Sequence, residues 1–306
     1  MGIAYLSHPE CAAHDMGHHH PEQPARLAAI SDRLIASGLD LALTHYEAPL
    51  AEDAHLALAH DRAYLEQLEA HSPADGVVWV DGDTAMNPHS LRAARRAAGA
   101  VVRAVDLVVG GEATRAFCGV RPPGHHAERD RAMGFCFYNN VAIGALHAVQ
   151  AYGLERVAIV DFDVHHGNGT EHIVAGDSRI LFCSTFQHPF YPNSGHECDE
   201  ANVVNVPLAQ GSGSDVFRSA VSEHWLPALE RFAPELILVS AGFDAHQADD
   251  MAGINLVDTD YRWVTEQLVA VARRHAQDRI VATLEGGYDL HALARSVEAH
   301  LKALLG

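Results

Sequence analysis

The chain has 306 residues, 48% hydrophobic and 20% charged, with 24 Gly and 13 Pro; this sustains a large buried core and excludes a disordered or low-complexity chain. The length admits one large α/β domain or two ordinary ones. A formal charge of −19 with histidine neutral repels phosphate backbones, so nucleic acid is not expected as a partner, whereas a basic substrate is attracted. Full protonation of the 23 histidines would carry the charge to +4, so solubility should change steeply near pH 6, and so much imidazole favours metal chemistry.

Five cysteines (Cys11, Cys118, Cys136, Cys183, Cys198) form no CxxC pair, which argues against a disulfide scaffold or a cysteine zinc site and fits a reducing interior. Met1–Ser7 lacks the basic and apolar regions of a signal peptide, and Leu6 stands where a myristoylation site needs Ser or Thr. No run of 18 apolar residues occurs, so no membrane span is expected. The chain reads as cytoplasmic.

In chain order, short β-branched runs predict buried strands at Thr114–Val120, Val157–Phe162, Ile180–Ser184, Leu236–Ser240 and Ile280–Leu284. Helical periodicity predicts helices at Pro88–Val109, Asn139–Tyr152, Ser214–Phe232, Asp258–Ala276 and His291–Leu305. Pro88 suits a first helical turn, and Gly110 and Gly153 follow helices where a cap belongs. The alternation predicts one α/β domain with a mostly parallel sheet and helices on both faces, and neither a linker nor a repeat divides the chain.

Ligands in such sheets bind beyond the carboxyl ends of the strands, and unusual polar residues follow four of the five expected strands. Val157–Val160 runs into Asp161-Phe-Asp-Val-His-His-Gly-Asn-Gly-Thr170. A buried strand ending in two carboxylates and two imidazoles carries a large desolvation cost unless something binds there. Alternation turns Asp161, Asp163 and His165 the same way. Leu236–Ser240 ends in Ala-Gly-Phe-Asp-Ala-His246, which places Asp244 past another strand end. Asp163, His165 and Asp244 read as an Asp2His metal site with an open position, chemistry that suits zinc. Taken singly, each aspartate is better explained as a loop cap or an ion pair.

Arg121-Pro-Pro-Gly-His-His-Ala-Glu128 holds His125 and His126 on a stiff turn, with Asp161 and Asn168 available to set their tautomers. Gly286 and Gly287 let the backbone bring Tyr288 into a cleft, where its hydroxyl could serve an oxyanion, though a core tyrosine explains it equally well alone. Gly134-Phe-Cys-Phe-Tyr-Asn-Asn140 and His188-Pro-Phe-Tyr-Pro192 read as a core aromatic stripe or as channel walls. His18–His20 read as loop histidines, and Arg92, Arg95 and Arg96 as a solvated helix face.

Together these segments resemble the histone deacetylase family of zinc amidohydrolases, above all its class II branch and bacterial members. The resemblance runs from His20-Pro-Glu-Gln-Pro-Ala-Arg-Leu27 to the terminal helix and rests on RPPGHHAE (121–128), GFCFYNN (134–140), DFDVHHGNG (161–169), SAGFDAH (240–246) and EGGYDL (285–290). It implies the arginase/deacetylase α/β fold with about eight strands. It also implies one zinc per chain, with Fe2+ as an alternative, on Asp163, His165 and Asp244, and a structural K+ or Na+ at Asp161, backbone groups of Asp163 and His165, and Ser184. His126 with its partner Asn168 would be the general base and later the acid. His125 would pair with Asp161, and Tyr288 would stabilise the oxyanion. Class I members carry aspartate at the position of Asn168, so the asparagine points to class II.

Gly134, Phe135 and Tyr191 match the tunnel walls, and Asp83 or Thr84 would meet the substrate amide. Polyamine-preferring relatives carry an acidic gatekeeper where this chain has Met251, which favours acyl-lysine over acetylpolyamine. The stretch His196–Asn202 replaces a glycine-rich loop and is expected to make the rim acidic. The implied partner is an acylated lysine or amine, and the chain a monomer or small homo-oligomer. A binuclear manganese ureohydrolase would need a second carboxylate set that is not found. A non-catalytic acyl-lysine binder would not need the full ligand set, the histidine pair and Tyr288.

Overall fold

A computed structural model describes residues 2–306. Along the chain run β1 (Ile3–Ser7), α1 (Ala25–Ser37), β2 (Leu43–Glu47), α2 (Asp53–Ala59), α3 (Arg62–His71), β3 (Val78–Trp79), β4 (Ala85–Met86) and α4 (Ser90–Val109). There follow β5 (Arg115–Cys118), α5 (Asn140–Tyr152), β6 (Val157–Asp161), α6 (Asn168–Val174), β7 (Ile180–Gln187) and β8 (Val203–Leu208). The last part holds α7 (Ser214–Ala220), α8 (Leu226–Phe232), β9 (Leu236–Ala241), α9 (Asp258–His275), β10 (Ile280–Leu284) and α10 (Leu290–Leu305).

Eight strands form one sheet in the order β2-β1-β5-β10-β9-β6-β7-β8, and every pairing in it is parallel. β3 and β4 form a separate antiparallel hairpin. The central strands read as unbroken apolar runs because both faces are covered. In β6, Val157 and Ile159 enter one core while Ala158 and Val160 enter the other. α4 and α5 cover the first face; α1, α9 and α10 cover the second. This is the single α/β domain with an eight-stranded parallel sheet that the sequence implied.

All five expected strands and all five expected helices are present, with shifted ends. β5 is shorter than Thr114–Val120, although Gly119 N–H still donates to the Leu6 carbonyl of β1 at 2.9 Å, and β7 extends to Gln187. The segment Ser214–Phe232 is helical throughout, but Val221–Trp225 widens into a π turn between α7 and α8. Pro227 lacks an N–H and its ring crowds the carbonyl four residues back, which a π turn relieves. Pro88 lies before the first turn of α4. Gly153 caps α5 with φ 66°, whereas Gly110 stays right-handed and Gly111 takes the positive φ.

Sequence periodicity missed β1, β2 and β8. β2 and β8 are edge strands, partly exposed and interrupted by polar residues. The expected solvated face of α4 holds for Arg92, which is exposed, but not for Arg95 and Arg96, which are largely covered. Arg92 and Arg96 both hold Glu10, at 2.5 and 2.6 Å, and Arg95 holds Asp53 and Glu69, each at 2.7 Å. Arg95 and Arg96 also donate to the carbonyls of Ala51 and Ala48, so this row ties α4 to the N-terminal segments. Among the described residues all five cysteines are free, and no helix is long and apolar enough to cross a membrane.

Candidate active site

The polar segments singled out above lie together because β5, β10, β9, β6 and β7 are neighbours in the sheet and parallel. Their carboxyl ends deliver His125 and His126, Tyr288, Asp244, Asp161 to His165, and Tyr191 to one edge. Asp163, His165 and Asp244 are buried and each offers a ligand atom within 4.8 Å of the others. Asp163 Oδ1 accepts from the His165 backbone N–H at 2.9 Å, and its Oδ2 accepts from Gly286 N–H at 2.8 Å. Asp244 Oδ1 accepts from Val164 N–H at 2.9 Å, whereas its Oδ2 is buried without a hydrogen bond.

The electrostatics of this trio fit a divalent cation. Burial and the neighbouring Asp163 charge push the Asp244 carboxyl up to about 6. Burial opposes a charge on His165, yet its contacts with Asp163 and Asp244 outweigh that and raise the imidazole to about 10. Without a metal the carboxylates thus draw a proton into the place where a cation would neutralise them. Gly286 is required beside them, since a Cβ there would fall 2.1 Å from Asp244 Oδ2.

His125 and His126 stand 4.0 Å apart, ring centre to ring centre, in opposite electrostatic settings. His125 Nδ1 lies 2.9 Å from Asp161 Oδ2; burial disfavours its charge, but Asp161 and Asp163 hold its pKa well above the usual value. His126 is held well below it, by burial first and then by the charges of His125 and His165. Its Nδ1 meets Asn168 Oδ1 at 2.7 Å. The surroundings thus favour a charged imidazole at His125 and a neutral one at His126. Asp161 and Ser184 are partners across β6 and β7, and Ser184 Oγ is buried without a hydrogen bond.

A cavity of about 240 Å³ leads to this centre, lined by Asp83, His126, Gly134, Phe135, His165, Phe190, Tyr191, Met251 and Tyr288. Gly134 has φ 56°, and a Cβ on it would fall 2.3 Å from His126 Cδ2. Phe135 also sits in the left-handed region, with φ 69°, and donates its N–H to Thr84 Oγ1 at 3.0 Å. This costly conformation turns the Phe135 ring toward Tyr288, 5.9 Å between centres. Tyr191 packs edge-on against His126 at 5.3 Å. Asp83 Oδ1 accepts from Gly134 N–H at 3.2 Å and Thr84 Oγ1 at 2.8 Å, so it braces the same wall.

Several residues of this edge escaped sequence reasoning. Arg26 donates to the carbonyls of Gly287 at 2.7 Å and Glu285 at 2.5 Å, and its guanidinium lies 4.9 Å from the Tyr288 ring centre. Glu22 pairs with Arg26 and Arg121 behind it. Asp249 Oδ2 accepts from Tyr288 and Asp289 N–H, so this acid fixes a loop and supplies no free charge to the tunnel. Buried Glu285, raised to about 7 by burial, accepts from Gly124 and His125 N–H and from Ser240 Oγ. Phe190 stacks on His165 at 5.6 Å. Apart from Asp249, these residues lie in segments singled out from the sequence, but the contacts join segments up to 261 positions apart and leave no periodic signal.

Two expectations need correcting. His20 is more than a loop histidine: its ring meets Phe135 edge-on at 4.7 Å, and its Nε2 lies 3.2 Å from the Asp83 carbonyl. The stretch His196–Asn202 does not form an acidic rim throughout. Asn202 donates to the carbonyls of Val174, Asp177 and Ile180, which places its end at the amino end of β7, away from the cavity. GFCFYNN divides: Phe135 faces the cavity, while Phe137 and Tyr138 are buried core.

Residues 20–304 match the histone deacetylase domain family. The chain is 40% identical to a histone deacetylase-like amidohydrolase of Pseudomonas aeruginosa, across 88% of this chain and 72% of that one. It is 36% identical to a probable deacetylase of Archaeoglobus fulgidus, across 95% and 82%. The crystal structure of the HDA15 HD domain superposes with a TM-score of 0.93 at 32% identity, covering all of this chain and 90% of that one. With this sheet order, this polar edge and these matches, the chain belongs to the histone deacetylase family of hydrolases.

Proposed function

We propose that the chain is a zinc-dependent amidohydrolase that removes acetyl or other short acyl groups from acylated lysine side chains. The observation that carries this reading is an aromatic-walled cavity ending at three metal-type ligands, a neutral histidine and a tyrosine. Asp163, His165 and Asp244 would hold the ion, which when bound supplies Lewis acidity toward the acyl carbonyl and acidifies water. Fe2+ suits the same donors, and Asp161 with Ser184 would carry a structural K+ or Na+.

His126, neutral and hydrogen-bonded at Nδ1 to Asn168, takes a proton from the attacking water at Nε2 and returns it to the leaving amine. His125, paired with Asp161, stays cationic and acts through its charge. Tyr288, a phenol protonated at neutral pH and pushed further up by burial and the Asp244 charge, can donate to the carbonyl oxygen as charge develops there. Arg26 holds the backbone of the Tyr288 loop. Phe135 and Tyr191 flank an aliphatic stem, and Met251 offers no charge to a cationic one.

A substrate panel with and without chelator tests the reading. Acetyl-lysine peptides should turn over, lose turnover with chelator, and outcompete acetylpolyamines. Preference for an acetylpolyamine would shift the substrate class and implicate Asp83, the one carboxylate lining the cavity. Absence of turnover with every acylated amine would reject the enzyme and leave an acyl-lysine binder.

A further inference from the structure

His126 can act as a base at one ring nitrogen only when the other carries its proton. We propose that Glu128, which lies outside the cavity, is the positioning residue that selects this tautomer, acting through Asn168. Asn168 alone does not decide it, because an amide rotated by half a turn presents either a carbonyl oxygen or an NH2 and satisfies either tautomer. Glu128 decides. Its Oε1 accepts from Asn168 Nδ2 at 2.7 Å and from Arg131 Nη2 at 2.8 Å.

A carboxylate paired with a guanidinium only accepts hydrogen bonds. The NH2 of Asn168 must therefore face Glu128, which leaves Asn168 Oδ1 facing His126 Nδ1 at 2.7 Å. An oxygen there requires a proton on Nδ1 and leaves Nε2 unprotonated. With the amide reversed, two oxygens would stand 2.7 Å apart with no proton between them. The side chain can be altered without dismantling its loop. Glu128 N–H donates to the Arg131 carbonyl at 2.9 Å, and the Glu128 carbonyl lies 2.8 Å from His60 Nδ1. His60 Nε2 in turn accepts from Asn139 N–H at 2.9 Å.

The inference rests on His126 being the base of the proposed reaction, and the test separates the two. Long-range 1H–15N spectra of histidine-labelled protein report the His126 tautomer directly, and steady-state kinetics on an acetyl-lysine peptide report its consequence. In the wild type His126 should show one tautomer, protonated at Nδ1. Glu128→Gln removes the short obligate acceptor and leaves the distant His126 carbonyl; the His126 signals should move toward a mixture, with kcat falling about 10- to 100-fold and KM nearly unchanged. Glu128→Asp, which still only accepts, should keep the wild-type tautomer. Adding Asn168→Asp to Glu128→Gln should restore a single tautomer and recover kcat, because a carboxylate beside Nδ1 needs no outside instruction. An unchanged tautomer and kcat in Glu128→Gln, or no recovery in the double variant, would overturn the proposal. If the wild type turns over no acylated amine, the proposed function fails while the spectra still decide the relay.

Discussion

Two buried clusters of charge lie near Tyr288, and they differ in how their charges are met. In the first, Glu22 is surrounded by Arg121, Arg26 and His14, and every side chain is fully buried. The guanidiniums also donate to carbonyls, Arg121 to those of Cys11 and His14 and Arg26 to those of Gly287 and Glu285. In the second, Asp163 and Asp244 share one imidazole, and Asp244 Oδ2 is left without a hydrogen bond. In the first cluster the carboxylate meets two guanidiniums, and only His14 Nε2, 3.3 Å from Glu22, lacks a hydrogen bond, so the charge is matched and this closed cluster acts as a structural pin. The second carries excess negative charge that only a proton or a cation can meet. Burial of charge alone therefore does not mark a functional site; buried carboxylates in excess of the cationic groups that face them do.

The largest effect expected from this contrast is on turnover at the open cluster. His126→Ala should lower kcat by about 100- to 10,000-fold, and Tyr288→Phe by about 100- to 1,000-fold. Both should leave the folded state and KM nearly intact, as circular dichroism and steady-state kinetics will show. Near-normal kcat in either variant would remove that residue from the mechanism.

The closed cluster should respond in the opposite way. Glu22→Ala leaves two buried guanidiniums without their carboxylate and should cost about 3–5 kcal/mol of stability, measured by denaturant unfolding. Turnover would fall only because Arg26 no longer holds the Tyr288 loop in place. A variant as stable as the wild type would show that the cluster is not a pin.

A smaller effect comes from histidines that have no charge partner at all. His60 and His300 are pushed down to about 4 and about 3 by burial, against an unfolded value near 6.5. The folded chain leaves them neutral while the unfolded chain protonates them. Their contribution to stability is therefore complete above pH 6.5 and is lost as pH falls toward 4. Each should steepen the loss by about 1.4 kcal/mol per pH unit in that window. Denaturant unfolding at pH 6, 5.5 and 5 should show a slope shallower by about this amount in His300→Gln, and an equal slope would mean that His300 is protonated in the folded chain.

The legible part of the molecule follows the same division. The open cluster could be read from the sequence because its residues follow buried strands at short spacing, where desolvation makes Asp161, Asp163 and His165 conspicuous. Parallel neighbours then bring Asp244, His126 and Tyr288 to the same edge. The closed cluster could not be read, because Glu22 and Arg121 meet across 99 positions and neither stands out in its own segment. The same holds for Glu285, Asp249 and His20, which act on backbone or on rings supplied by distant loops. Strands β2 and β8 were lost for a local reason, since an edge strand is half solvated and carries polar residues within its run.

The most direct test of the open cluster is calorimetric titration of chelator-treated protein with Zn2+, repeated on Asp244→Ala. The wild type should bind one ion tightly per chain and the variant none at that affinity, with both proteins folded. A folded wild type that takes up no divalent ion, or a variant that binds as well as the wild type, would contradict it.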